Sequence, residues 1–266
     1  MKINKQRKMT SPTQVLKSIG PKLVPFLKTS AVFFVLQSRI EKETWLYLLI
    51  KCIPILCLIM FVLLHGMSFS DEYAYSRRII LGLVFSCLGD ALLVWPNSHF
   101  LYGMVAFGIA HINYVAAFGF KPINLPLGII MYCTTIAVNS ILLRELEGLL
   151  LIFVPAYSLL LTTTTWRGIA KVQLFEELWT WTKLCSCIGG ISFLISDTIL
   201  AFNSFYAPIP YGDELVMSTY YLAQLGITLS IVDSKDCYRA EQAKKHQMEG
   251  KTETSNVVKT KKIKEH

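Results

Sequence analysis

The chain has 266 residues, of which 53% are hydrophobic and 17% charged, and its mean hydropathy is +0.46. These proportions exclude an ordinary soluble domain and place the chain among membrane proteins. The net charge of +8 does not mark a nucleic-acid binder, because Lys and Arg gather in the two tails and in alternate loops.

Residues 1–20 are polar and basic, with apolar residues too scattered for the hydrophobic region of a signal peptide. Eight apolar segments follow, each near the length that crosses a bilayer: 22–38, 44–64, 79–95, 100–120, 125–143, 148–166, 182–202 and 215–232. The first is the weakest, because Pro25 and Lys28 interrupt it. Segments three and four are expected to join through a Pro96-Asn97-Ser98-His99 turn. The connections leave no room for a separate soluble domain. The expected fold is therefore all-α: a polytopic bundle at 22–232, a basic N-terminal segment at 1–21, and a basic, unstructured tail at 233–266.

Positive residues set the orientation. Lys2, Lys5, Arg7, Lys8, Lys17, Lys22, Arg77, Arg78, Lys121, Arg167 and Lys171 fall on one side with those after Val232, against only Arg39, Lys42 and Arg144 on the other. Both termini are then expected in the cytoplasm. The closing Lys262-Ile263-Lys264-Glu265-His266 resembles the dilysine signal that returns membrane proteins to the endoplasmic reticulum. Of the seven cysteines, Cys52, Cys57, Cys87, Cys133, Cys185 and Cys187 lie in apolar segments and are expected as packing residues, not disulfides or metal ligands.

Asp90 and Asp197 stand inside apolar segments, where an ionisable residue costs several kcal/mol and calls for a function. Aligning the two acids reveals a faint repeat: Gly82 falls over Gly189, Gly89 over Ser196, and Tyr114 over Tyr221. Two four-helix halves about a pseudo-twofold axis would bring the acids together, with the small residues lining one helix face. At 1.5 Å per residue, Asp90, Asp197 and Tyr220 lie ~8 Å below the lumenal helix ends and Lys51 ~9 Å below, with His111 and Gln224 at ~14–16 Å. Lys51 is expected either to snorkel to the interface or to attract a lipid phosphate. His111 and Tyr114, at i and i+3, suit a hydrogen-bonded pair that orients a carboxylate or a water. Ser86, one turn before Asp90, is placed to hydrogen-bond its carboxylate, whereas Asp197 has Phe193, Leu194, Leu200 and Ala201 around it.

The blocks Gly82-Leu83-Val84-Phe85-Ser86-Cys87-Leu88-Gly89-Asp90, Ala110-His111-Ile112-Asn113-Tyr114, Ser196-Asp197 and Met217-Ser218-Thr219-Tyr220-Tyr221-Leu222-Ala223-Gln224 resemble the signatures of the YhhN-like lysoplasmalogenase family. Gly20-Pro21-Lys22-Leu23-Val24-Pro25-Phe26 and Ile50-Lys51-Cys52-Ile53-Pro54 are similar to its animal members. The resemblance implies hydrolysis of the vinyl ether of a lysoplasmalogen to a fatty aldehyde and glycerophospho-ethanolamine or -choline. It implies a lysophospholipid substrate, no cofactor and no metal.

The acids suit that chemistry. Vinyl ethers resist base and are cleaved by protonating carbon, which leaves an oxocarbenium ion for water to capture. One neutral carboxyl beside one carboxylate supplies this, and two carboxyls in a low-dielectric setting settle into that state. The apolar surroundings favour Asp197 as acid, with Asp90 as base or cation stabiliser. Two alternatives remain: a transporter with the aspartates as a proton relay, and a zinc hydrolase. The first lacks an obviously broken helix pair at matching positions, and the second would have to draw on His65, His99 and His111.

Overall fold

The structure is a computed structural model that describes residues 12–172, 181–235, 238, 239 and 242. The basic residues 1–11, the 173–180 stretch, and most of the tail with its terminal dilysine sequence lie outside the described residues. Eight helices follow in order: α1 (Pro12–Leu36), α2 (Trp45–His65), α3 (Ala74–Leu92), α4 (Pro96–Phe118), α5 (Leu125–Leu142), α6 (Leu150–Ala170), α7 (Trp181–Phe205) and α8 (Gly212–Leu229). A single 3-10 turn at Asp71–Tyr73 leads into α3, and there is no strand among the described residues.

Several boundaries differ from expectation, two of them for local reasons that involve proline. Helix α1 runs through Pro21 and Pro25 without breaking. Each proline removes one N–H, and the Thr29 hydroxyl donates to the Pro25 carbonyl at 2.8 Å. The expected turn at 96–99 is instead the first turn of α4, because Pro96 occupies the opening position, where its missing N–H has no helical partner to lose.

Among the described residues, five segments are long and apolar enough to cross a membrane: Ile19–Leu36, Trp45–His65, Pro96–Phe118, Leu125–Leu142 and Thr182–Phe205. The other three helices, α3, α6 and α8, carry polar groups that the bundle buries. Ser86 and Asp90 on α3, Thr162, Thr164, Thr165 and Arg167 on α6, and Gln224 and Thr228 on α8 are each at most 2% exposed. In α6 the hydroxyls of Thr162, Thr163, Thr164 and Thr165 donate to the carbonyls one turn back, at 2.6 to 3.0 Å. A threonine run without solvent is satisfied by its own helix in this way. Arg167 ends the same helix by donating to the Gly119 and Pro122 carbonyls at 2.6 and 2.8 Å, which ties α6 to the α4–α5 loop.

Helices α2, α3, α4, α6, α7 and α8 pack in a closed ring, with α1 against α2 and α5 against α6 on the outside. Phe26 and Phe33 of α1 meet the Tyr221 ring edge-on at 6.3 and 5.4 Å. The tightest pairs are α3 with α4 and α7 with α8. A Cβ on Gly82 would come within 2.1 Å of Tyr114, and one on Gly89 within 2.6 Å of Phe107, so both glycines seat α4. On α7, a Cβ on Gly189 would meet the Ile227 backbone nitrogen at 2.7 Å, and the Ser196 hydroxyl donates to the Val216 carbonyl at 2.9 Å. Small residues seven apart thus form the contact face on both α3 and α7. The described cysteines are free thiols: Cys52 is buried, Cys57 and Cys87 pack against the core, and Cys133 alone among them faces outward.

Candidate active site

A cavity of about 720 Å³ opens at the end of the bundle that carries the α1–α2, α3–α4 and α7–α8 connections. Asp90 from α3 and Asp197 from α7 line it together with Lys51, Tyr157 and Tyr220. Apolar walls come from Phe100, Met104 and Phe107 of α4, Val154 of α6 and Met217 of α8. At the mouth stand Lys42, Glu43, Asn97, Ser98, Asn203 and Asp213.

The mouth is braced. Glu43 sits in the left-handed region at φ 65°. Its carbonyl accepts from the Trp95 indole at 2.9 Å, and its carboxylate accepts from the Asn97 amide at 3.3 Å. A non-glycine residue keeps this conformation only where its surroundings hold it. Beside it, Lys42 ion-pairs with Asp213 in the first turn of α8 and so links the α1–α2 loop to α8.

The two acids have different partners. Asp90, only 2% exposed, has the Lys51 ammonium 3.5 Å from Oδ1 and accepts from the Tyr220 hydroxyl at Oδ2 at 2.5 Å. Lys51 also donates to the Asp90 carbonyl at 3.3 Å, and its own carbonyl accepts from Tyr221 at 2.9 Å. The expected snorkelling of Lys51 does not occur: the side chain is 10% exposed and turned onto Asp90. Asp197 is half-buried and in hydrogen-bond contact, through Oδ2, with the Tyr157 hydroxyl. No cation pairs with Asp197 among the described residues.

Behind this wall, His111 is fully buried, with Nε2 3.2 Å from the Tyr157 hydroxyl and Nδ1 3.1 Å from the Thr164 hydroxyl. Phe193 packs its ring 4.6 Å from His111 and 5.6 Å from Tyr220. Tyr114 lies edge-on to His111 at 6.0 Å but donates to Gln224 Oε1 at 2.9 Å, with Ser86 Oγ at 3.3 Å.

The structure therefore divides the residues picked out from sequence. Lys51, Asp90, Asp197 and Tyr220 share the cavity. Ser86, Tyr114 and Gln224 form a separate buried cluster, so Ser86 does not hold Asp90. Tyr221 lies under Lys51, and His111 reaches Asp197 through Tyr157 instead of pairing with Tyr114. Tyr157 is the residue that sequence reasoning missed. The depth count that grouped the others would have found it, since it lies ~10 Å inside α6 from the mouth end.

Residues 46–231 match the YhhN family. The chain is 40% identical over 240 residues to lysoplasmalogenase TMEM86A of Bos taurus, covering 89% of this chain and 100% of that protein. It is 41% identical over 229 residues to lysoplasmalogenase TMEM86A of Homo sapiens, covering 86% and 95%. With lysoplasmalogenase TMEM86B of Sus scrofa it shares 37% identity over 216 residues, covering 81% and 88%. No solved structure matches the chain.

Proposed function

The chain belongs to the YhhN family, and from that membership we propose that it hydrolyses the vinyl ether bond of lysoplasmalogens, releasing a fatty aldehyde and a glycerophospho-ethanolamine or -choline. The observation that carries this reading is the unequal pair of acids on one cavity. Asp90 is charge-paired with Lys51, which suits an ionised carboxylate, while Asp197 has no counter-ion among the described residues, which suits a neutral acid. The cavity volume is that of a small-molecule site, apolar along its walls and charged at its mouth, as a single-chain lipid requires.

In this reading Asp197 gives its proton to the vinyl carbon distal to oxygen, and the C=C pair forms the new C–H bond. The resulting oxocarbenium ion is stabilised by the Asp90 carboxylate. Water adds to the cationic carbon and passes a proton to Asp90, forming a hemiacetal. The hemiacetal collapses when its hydroxyl proton returns to Asp197 and the Asp90 proton goes to the departing glycerol oxygen. Both acids end as they began, and one water is consumed. Lys51 keeps Asp90 ionised in the resting state. At the mouth, Lys42 beside Glu43 and Asp213 offers one cation and two carboxylates, complementary to a phosphate with an attached ammonium.

The same reading takes residues 22–232 as one catalytic domain of eight spans with both termini cytoplasmic, so that the mouth faces the lumen. The ring supports a four-plus-four repeat: α4 meets α6 as α8 meets α2, and α3 with α4 corresponds to α7 with α8. Residence in the endoplasmic reticulum rests on the terminal dilysine sequence. The experiment that tests the function is aldehyde release by purified protein in detergent, from a lysoplasmalogen and from its saturated alkyl-ether analogue. Only the first can be protonated at carbon, and it alone is expected to react. Release needs no membrane gradient, and its absence would refute the activity.

A further inference from the structure

The hydrogens of the buried chain behind Asp197 follow from one bond, the donation by the Thr164 hydroxyl to its own helix. Thr164 has one hydroxyl hydrogen, and its oxygen is 3.0 Å from the Leu160 carbonyl, in the back-bonded position shared by Thr162, Thr163 and Thr165. Toward His111 Nδ1, 3.1 Å away, Thr164 is then an acceptor, so Nδ1 carries the imidazole hydrogen. His111 is fully buried, and no carboxylate touches it among the described residues, which favours a neutral ring. Its Nε2 is therefore bare and accepts the Tyr157 hydrogen at 3.2 Å. With that hydrogen committed, the contact between Tyr157 and Asp197 Oδ2, in which the hydroxyl would donate to an ionised carboxylate, is bridged instead by a proton on the carboxyl.

We infer that Tyr157, oriented by His111 and Thr164, is a positioning residue that keeps Asp197 in its protonated, donor form and then stabilises the carboxylate that proton transfer leaves behind. The inference rests on the proposed vinyl ether chemistry. When the Asp197 proton forms the new C–H bond, a negative charge appears on the carboxylate. The Tyr157 O–H then turns from His111 Nε2 to Asp197 and becomes a charge-assisted donor. This bond does not exist before transfer, so it favours the transition state over bound substrate and acts on kcat, not KM. Removing one donor to the charge that develops costs about 10²-fold in rate.

Two readouts test it. Infrared spectroscopy of the substrate-free protein at neutral pH should show a protonated-carboxyl stretch that disappears in Asp197→Asn and shifts in Tyr157→Phe. The same band should weaken in Thr164→Val, which frees the imidazole to reverse its tautomer, and return in Thr164→Ser. Tyr157→Phe should lower kcat about 10²-fold with KM unchanged. A wild type without the band, or a Thr164→Val protein with the band at full strength, would overturn the inference. So would a Tyr157→Phe enzyme with wild-type kcat. The band is read without substrate, so a protein that shows it but releases no aldehyde would refute the proposed function and leave the hydrogen-bond assignment standing.

Discussion

Lys51 on α2 holds its ammonium 3.5 Å from the Asp90 carboxylate on α3, with both side chains at most 10% exposed. Replacing one partner of a buried pair leaves the other charge stranded, at a cost of about 3–5 kcal/mol. Lys51→Met should therefore lower the unfolding temperature in detergent and abolish turnover. The double variant Lys51→Met/Asp90→Asn, with both charges gone, should regain most of the lost stability and none of the activity. Thermal unfolding of the wild type, of Lys51→Met, of Asp90→Asn and of the double variant checks this. A double variant as unstable as Lys51→Met would show that the stranded charge is not the cause.

Asp90→Asn and Asp197→Asn remove the base and the acid of the proposed cycle. Each should reduce aldehyde release by at least about 10²-fold, the lower end of what a positioned proton donor or acceptor contributes. Both proteins should still elute as folded species in detergent. Full activity in either one would dismiss the carboxyl pair.

The charges at the mouth are expected to act on binding. Lys42→Ala should raise KM several-fold for a lysoplasmalogen with a phosphate-bearing head group and leave kcat within about twofold, because Lys42 stands exposed at the mouth of the cavity that the two acids line. Steady-state kinetics with ethanolamine and choline head groups check it. An unchanged KM for both would remove Lys42 from head-group recognition.

Packing between the acid-bearing helices and their partners makes a further prediction. Gly82→Ala places a methyl 2.1 Å from the Tyr114 ring, so Tyr114 must leave its place against Gln224. Overpacking of this kind costs about 1–3 kcal/mol. Gly189→Ala meets backbone, not a movable side chain, and should be the more damaging of the two. Unfolding midpoints in detergent rank them, and the reverse order would contradict the close approach of α7 and α8.

Much of this was legible from residue types alone. Apolar segments gave all eight helices, because span length and hydropathy are local properties. An acid in lipid is so costly that Asp90 and Asp197 stand out as candidates from sequence, and both line the cavity. Partnerships were harder. Lys51 reads from sequence as a snorkelling residue, and only the ring of helices shows that α3 brings Asp90 within its reach. Ser86 was assigned to Asp90 by helical spacing, yet its hydroxyl turns to Tyr114 across the α3–α4 contact. Tyr157 went unseen because tyrosine in an apolar span is unremarkable until its depth is compared with that of the acids. The helix boundaries shifted at Pro21, Pro25 and Pro96, where the effect of proline depends on which carbonyl loses its donor.

Glycine contacts along α3 and α7 leave the aspartate-bearing helices with almost no slack against α4 and α8. Sliding either helix by one residue would drive a bulky neighbour into the gap. The placement of the two carboxyl groups is thus inherited from backbone fit. In the proposed reaction the lipid, more than the helix pair, is then the partner whose conformation adjusts to bring the vinyl ether to the carboxyl groups.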